Sequence, residues 1–225
     1  GANIAFGMGA LGQQPQLIGS VGSDAAEYVR WLADHGVDTS GVRVSATLAS
    51  PRFTVTTDRA QNQIGSFYPG AMAEAADIAL DDVEVDLVLV SPNDPGAMLR
   101  HTQECRDRGV PFAADPSQTL TFLDGEAIRS LVTGATYLFT NEYEAGLVHA
   151  KTGWSDADVL ELVQTRVTTH GAKGVVVQRK GEPDLHVGVV PAEVVADPTG
   201  VGDGFRAGFL TGIAWGLDLE RACQV

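Results

Sequence analysis

Cysteine is scarce in this sequence, and it shows neither a long apolar run nor a signal peptide. The two cysteines, Cys105 and Cys223, are far apart along the chain. They form neither a disulfide framework nor a zinc-binding spacing, which favours a reducing compartment. No apolar run approaches the roughly 20 residues of a membrane span. We therefore expect a cytoplasmic protein that does not contact a membrane.

Basic residues are also scarce, because 15 Lys and Arg stand against 29 Asp and Glu and give a formal net charge of -14. Nucleic acids and anionic membrane surfaces bind basic patches, so neither is an expected partner. A phosphorylated small molecule would need local positive potential. Backbone N–H groups or a metal ion can supply that potential in an acidic protein.

Two common nucleotide-binding motifs are missing. No G-x-x-x-x-G-K-[ST] sequence occurs, which argues against a P-loop enzyme. Residues 7–12 match G-x-G-x-x-G in form only. They lack a preceding strand and lie within a helical pattern, so we reject a dinucleotide-binding interpretation.

The apolar pattern predicts an α/β fold. Short apolar strands are predicted at 87–90, 111–114, 137–139 and 174–177, and helices lie between them, one of them over 156–166. This alternation is typical of a largely parallel sheet covered on both faces. The length predicts one domain over residues 1–225. We interpret both ends as truncated, because the chain starts without methionine and stops within a predicted helix.

Three further segments predict a small β-sheet lid, formed mainly by residues 42–70. Residues 42–45, 53–57 and 64–68 alternate and are rich in β-branched and aromatic residues, which predicts a β-meander. Phe53, Phe67 and Met72 lie on or just after it. Their side chains stack on a flat ligand or form the core of the lid, and both alternatives remain open. The exposed edges of such a sheet favour a homodimer through the lid.

A glycine-rich turn at residues 197–208 (DPTGVGDGFRAG) precedes the last long predicted helix. The first N–H groups of a helix have no intrahelical acceptor, so such a turn is a candidate anion site. Asp203 places a carboxylate there, as a kinase needs for its base. A plain turn is the alternative. Arg206 contacts a phosphate or faces solvent, and we expect solvent.

Polar residues follow three successive predicted strands, at Ser91, Asp115 and Thr140. In a parallel sheet these strand ends meet at one edge, where ligands bind. Asn141 and Glu144 follow there and either hold Mg²⁺ through water or cap a helix; spacing alone favours the cap. Residues 169–174 offer a nucleotide-binding surface or a plain turn.

Taken together, these motifs resemble those of a known enzyme family. Residues 197–203 resemble the signature D-[TP]-x-G-[AV]-G-D of the ribokinase-like carbohydrate kinases of the phosphofructokinase-B type. Asn141-x-x-Glu144 resembles the N-x-x-E motif of that family, and residues 1–5 resemble its N-terminal signature. The resemblance extends from about Asn3 to Arg221. Within the family, residues 66–72, 115–118 and 139–141 are similar to the adenosine kinases of actinobacteria.

The resemblance implies a three-layer α/β sandwich with a lid, and an activity. That activity is Mg²⁺-dependent transfer of the γ-phosphate of ATP to the 5′-hydroxyl of adenosine, giving AMP in purine salvage. It implies that Asp203 is the base, and that Gly200, Val201 and Gly202 form an anion hole with their N–H groups. The other implied ligand-binding residues are Thr169, Gly171 and Asn141 for the nucleotide, Glu144 with Asn141 for the metal through water, and Asn3, Phe53, Phe67, Met72 and Gln118 for the nucleoside.

Two other functions remain open. A kinase for a free sugar would share this fold, but the aromatic residues of the predicted lid favour a flat base. A nucleoside- or sugar-binding protein without turnover is the second alternative. Asp203 and the Asn141-x-x-Glu144 motif favour catalysis over binding alone.

Overall fold

The computed structural model describes residues 1–59, 63–80, 84–191 and 200–225, in which strands and helices alternate. The strands are β1 (Gly19–Val21), β2 (Val42–Val44), β3 (Arg52–Thr57), β4 (Gln63–Tyr68), β5 (Val88–Val90), β6 (Phe112–Ala114), β7 (Tyr137–Asn141), β8 (Thr165–Thr169), β9 (Val175–Gln178) and β10 (Leu185–Val187). The α-helices are α1 (Ala2–Ala10), α2 (Ala26–Asp34), α3 (Pro95–Arg108), α4 (Gly125–Val132), α5 (Glu142–Thr152), α6 (Asp156–Leu162), α7 (Val201–Ala214) and α8 (Leu219–Ala222).

A six-stranded sheet in the order β10-β9-β8-β7-β6-β5 forms the centre of the molecule. Strands β5 to β8 are parallel, whereas β9 and β10 pair in antiparallel fashion. Helices cover both faces. Phe112 and Leu138 belong to one core cluster with Ile128 of α4, and Phe139 belongs to the other with Phe209 of α7. The predicted largely parallel sheet between two helical layers is confirmed.

Strand β8 lies where the sequence predicted the end of a helix. Helix α6 begins after Ser155, whose side chain caps it, but it ends at Leu162. The prediction of a helix to residue 166 is therefore wrong. The segment Thr165–Thr169 (TRVTT) is mostly buried between β7 and β9. Its β-branched residues favour a strand. Its three threonines and Arg166 are polar, however, so the segment lacks the apolar run that usually marks a buried strand.

The predicted three-stranded lid is a two-stranded hairpin. Strand β2 pairs in parallel with β1, so its assignment to a meander is wrong. Helix α2 connects β1 to β2, and a crossover of this kind is what parallel pairing requires. The hairpin consists of β3 and β4 alone, in a register that places Phe53 opposite Phe67. Between β1 and α2, residues Ser23–Ala25 form a 3₁₀ turn.

Helix α7 lies close to its neighbours along its buried face. A Cβ atom at Gly7 would come within 2.7 Å of Ala207 Cβ, and one at Gly208 would come within 2.6 Å of the Val225 backbone. Gly7 lies within α1, which agrees with the rejection of a dinucleotide-binding motif there. None of the helices in the described ranges is long and apolar enough to cross a membrane.

Candidate active site

The glycine turn opens helix α7, as the sequence predicted. Gly200 is the N-cap residue, with φ of +79°, a left-handed conformation that glycine adopts without a Cβ penalty. Gly204 N donates to Gly200 O at 2.8 Å, which closes the first turn. The N–H groups of Val201 and Gly202 precede that bond and have no acceptor within the helix, so they can bind an anion. Residues 197–199 of the same motif lie outside the described ranges.

Asp203 lies half-buried in this first turn. Asn3 Nδ2 donates a hydrogen bond to Asp203 Oδ2 at 2.9 Å. The two residues are 200 positions apart in sequence, and the packing of α1 against α7 brings them together. Asn3 therefore orients the carboxylate. The implied base and one implied nucleoside-binding residue are adjacent.

Asn141 and Glu144 form a capping box at the start of α5. Asn141 Oδ1 accepts from Glu144 N, and Glu144 Oε2 accepts from Asn141 N, both at 2.8 Å. Ser117 Oγ donates to the other carboxylate oxygen, Oε1, at 3.2 Å. Ser117 has a φ of 43°, which is uncommon for a residue other than glycine. The helix-cap interpretation is confirmed.

The capping box bears on the implied metal. Glu144 is buried, and each of its carboxylate oxygens already accepts a hydrogen bond. This arrangement fits contact with the water molecules of a Mg²⁺ ion, which retains several waters in proteins. Within the described ranges, no three His, Cys, Asp or Glu side chains form a cluster that would bind a metal directly.

A cleft of about 660 Å³ extends from the start of α7 to the ends of the sheet strands. The residues with implied catalytic, anion, nucleotide and metal roles all line it: Asn141, Glu144, Thr169, Gly171, Gly200, Val201, Gly202 and Asp203. Ser117, Gly174, Val175 and residues 188–190 and 223–225 also line it. The cleft therefore brings together the turn after β6, the ends of β7 and β8, and the start of α7.

The other implied nucleoside-binding residues lie apart from the described lining of this cleft. Phe53 and Phe67, 66% and 53% exposed, face each other across the hairpin. The alternative that they form the core of the lid is therefore wrong. Met72 is half-buried in the 3₁₀ helix Gly70–Asp77. Gln118 is exposed beside Ser117, and its Oε1 lies 2.9 Å from Ser117 Oγ.

Glu142 joins the start of α5 to the nucleotide-side turn. Its Oε1 lies 2.9 Å from Nδ1 of His170, the residue between Thr169 and Gly171. The hydrogen bond with His170 lowers the pKa of Glu142 below its usual value. The two chain segments that carry Asn141 and Thr169 are thus linked by side chains as well as by β7–β8 pairing.

Arg206 does not face solvent, so that expectation is wrong. It is buried beneath the glycine turn, with Nη2 2.7 Å from Asp115 Oδ1. Burial raises the pKa of Asp115, and the adjacent guanidinium opposes that rise. A signal was present in the sequence. The residues that follow Arg206 in α7 are almost all apolar or small, which is typical of a buried helix.

The sequence reasoning missed Ser117 as a site residue, and it did not predict the burial of Arg206. Ser117 contacts Glu144, and Arg206 contacts the glycine turn. No local pattern marks Ser117, because its position depends on the turn that follows β6. It lies in the 115–118 segment that carried the family resemblance, and that is the only signal that points to it.

The layered sheet, the lid hairpin and the cleft define a ribokinase-like fold. Ribokinase from Thermotoga maritima has this fold, with a TM-score of 0.80, 22% identity, and coverage of 99% of this chain and 76% of that one. The sequence model of the pfkB family carbohydrate kinases matches residues 1–225, and the chain belongs to that family. It is accordingly a phosphotransferase with an alcohol group as acceptor.

Two relatives are described as nucleoside kinases. The structure of Burkholderia thailandensis nucleoside kinase in complex with inosine has a TM-score of 0.93 and 37% identity, covering 99% of this chain and 75% of that chain. The nucleoside kinase of Methanocaldococcus jannaschii is 29% identical over 222 residues, which is 98% of this chain and 73% of that protein.

Proposed function

We propose that this protein is an ATP-dependent kinase that phosphorylates the 5′-hydroxyl of a nucleoside. Adenosine, converted to AMP in purine salvage, is the acceptor that the sequence resemblance implies. The observation that carries the proposal is Asp203, which Asn3 orients at the open N-terminus of α7. The nucleotide-side residues Thr169 and Gly171 line the same cleft.

The geometry supports in-line phosphoryl transfer. A hydroxyl is a weak nucleophile at neutral pH, so Asp203 accepts its proton as the oxygen attacks the γ-phosphorus. The new O–P bond forms while the bond to the bridging oxygen of ADP breaks. N–H groups of the glycine turn stabilise the negative charge on the transferred group. Asp203 then loses the proton to solvent.

Relatives support ATP as the donor and a nucleoside as the acceptor. A Burkholderia thailandensis nucleoside kinase structure is described as a complex with ADP-inosine, at 37% identity to this chain. The exposed Phe53–Phe67 pair offers flat apolar surface for a base. A kinase for a free sugar remains the second candidate, because ribokinase of Bacillus subtilis is also a relative, at 28% identity over 232 residues.

Transfer of radiolabelled phosphate from ATP to a panel of acceptors tests the proposal. The panel contains adenosine, inosine, pyrimidine nucleosides, ribose and fructose. We expect labelled nucleoside monophosphate and no labelled sugar phosphate. Transfer to ribose or fructose alone would establish a sugar kinase. Binding of a nucleoside without any transfer would establish a non-catalytic binding protein.

Replacing Phe67 with Ala is expected to raise the nucleoside KM about tenfold or more, because a stacked base loses roughly 1–3 kcal/mol on alanine substitution. The KM for ATP should change less than twofold. Ile64→Ala is the matched control, since Ile64 is exposed on the opposite face of the same strand. Steady-state kinetics measure both constants, and equal rises in the two would remove Phe67 from the nucleoside site.

The Mg²⁺ dependence has its own test. Magnesium bound near Asn141 and Glu144 would neutralise charge on the phosphates. We expect Glu144→Gln to raise the Mg²⁺ concentration for half-maximal activity by about tenfold, as for residues that orient metal-bound groups. Glutamine can preserve the capping box, so the fold should persist. Glu126→Gln, at an exposed helix start elsewhere, is the control. An unchanged Mg²⁺ requirement would exclude Glu144 from the metal site.

The edges of the lid hairpin bear on how the protein assembles. Strands β3 and β4 pair with each other, and in the described ranges their outer edges have no strand partner. Such edges pair with other chains, so we propose a homodimer through the lid hairpin in the cytoplasm. Sedimentation velocity of the purified protein tests the dimer, and a monomer at micromolar concentration would contradict it.

A further inference from the structure

We propose that Arg206 is a positioning residue for catalysis, which with Asp115 fixes both the anion-binding turn and the opposite wall of the cleft. The inference rests on the proposed function, since it gives a buried ion pair a role in phosphoryl transfer. Asp203 remains the group that accepts the proton. Arg206 acts through the backbone that holds Asp203.

The guanidinium of Arg206 contacts both the glycine turn and Asp115, which follows β6. Nη1 donates to Gly202 O at 3.0 Å, and Nη2 lies 2.7 Å from Asp115 Oδ1. The guanidinium carbon lies 5.6 Å from the ring centre of Phe139, beneath the group. The side chains of Arg206 and Asp115 are only 7% and 2% exposed. A planar fork held on an aromatic ring is therefore fixed between the turn and the sheet.

The first contact bears directly on the position of Asp203. Gly202 O belongs to the same planar peptide unit as the N–H of Asp203. Holding this carbonyl therefore fixes the direction of that N–H and of the Asp203 Cα. A carbonyl that accepts a bond from a cation also polarises its peptide, which makes the N–H a better donor.

The second contact bears on the wall opposite the turn. Asp115 follows β6, and its N–H donates to Val90 O at 2.9 Å. Two residues later, Ser117 adopts its uncommon φ and donates to Glu144 Oε1. Glu144 in turn closes the capping box with Asn141. One guanidinium thus connects the turn before Asp203 to the segment that orients Glu144.

A purely structural ion pair is the alternative. Buried ion pairs often contribute little net stability, and removing one partner leaves the other uncompensated. A single Arg206→Met variant would confuse the two roles, because Asp115 would remain buried alone. Combining Arg206→Met with Asp115→Asn removes both charges and nearly preserves the volume, so stability and positioning can be separated. Arg206→Lys keeps a cation beside Asp115 but lacks the fork that reaches both partners.

The experiment compares these two variants with wild type and with Arg166→Lys. Arg166 is also buried, but it pairs with Asp156 away from the glycine turn. We expect the double variant to stay folded by circular dichroism, with kcat lower by about 10- to 100-fold, the cost of a small misplacement of reacting groups. Both KM values should stay within threefold. Arg206→Lys should be folded, with a kcat between those of the double variant and wild type. Arg166→Lys should match wild-type kcat within twofold.

A folded double variant with wild-type kcat would overturn the proposal. If the double variant does not fold, the test passes to Arg206→Lys, and a wild-type kcat in that variant would overturn the proposal. The assay uses whichever acceptor the wild type phosphorylates, so a sugar in place of a nucleoside leaves the comparison intact. If the wild type phosphorylates no acceptor, the proposed function fails and amide hydrogen exchange of residues 200–206 in Arg206→Lys decides. Faster exchange there, with the rest of α7 unchanged, supports positioning, and unchanged exchange overturns it.

Discussion

Replacing Asp203 with Asn is expected to lower kcat by about 10²- to 10⁴-fold, the usual contribution of a general base. The amide has the shape of the carboxylate, and its oxygen can still accept the hydrogen bond from Asn3 Nδ2. Geometry and substrate binding should therefore persist while the proton acceptor is lost. A coupled assay of ADP release measures kcat, and calorimetry measures nucleoside affinity.

The control for Asp203→Asn is Asp218→Asn, at the start of α8. Asp218 caps that helix by accepting from Arg221 N at 2.8 Å, and Asn caps helices as well as Asp. Its kcat should stay within twofold of wild type. If Asp203→Asn also kept near-normal turnover, Asp203 would not be the base.

The second large effect is expected for Gly200→Val. Gly200 has a φ of +79°, where a β-branched residue is strained by about 1–3 kcal/mol. Among the described residues, no atom lies within 4 Å of a Cβ built there, so the cost comes from the backbone. The chain relieves it by rotating the turn and moving its N–H groups. We expect kcat to fall by about 10²-fold, as when one oxyanion donor is lost.

Gly216 offers a matched control for Gly200. It follows the other end of α7 and has a φ of +76°, and no atom of the described residues lies within 4 Å of its added Cβ. Gly216→Val should therefore lose similar thermal stability with little change in kcat. Thermal unfolding and steady-state kinetics measure the two effects. Equal losses of kcat in both variants would show that general destabilisation is the cause, and would remove the anion role of the turn.

Elements with strong local signals were predictable from the sequence. Helix α3 has clear boundary signals in the sequence, because Asp94 caps it, Pro95 fits its first turn, and Gly109 closes it with a φ of 65°. Strand β8 was missed because its threonines carry no strong apolar pattern. The partner of β2 was wrong because strand pairing is decided by the whole chain, and three similar segments in sequence need not share a sheet.

In the candidate site too, the features with local sequence patterns were predictable and those that depend on distant contacts were not. The glycine turn and the Asn141-x-x-Glu144 spacing are local patterns, and both were found in the sequence. The burial of Arg206 depends on the sheet and helices that pack against α7. They include α1, at Gly7, and the backbone of Val225, at Gly208. Such contacts join distant parts of the chain. Sequence spacing alone therefore placed Arg206 at the surface.

In the proposed reaction, this chain transfers phosphate from ATP to a nucleoside 5′-hydroxyl, and Asp203 accepts the proton. The most direct measurement is ³¹P NMR of the product formed from ATP and a purine nucleoside, with the 5′-deoxynucleoside in parallel. We expect a 5′-monophosphate with wild type, almost none with Asp203→Asn, and none from the 5′-deoxynucleoside. A phosphorylated product from the 5′-deoxynucleoside, or undiminished product with Asp203→Asn, would contradict it.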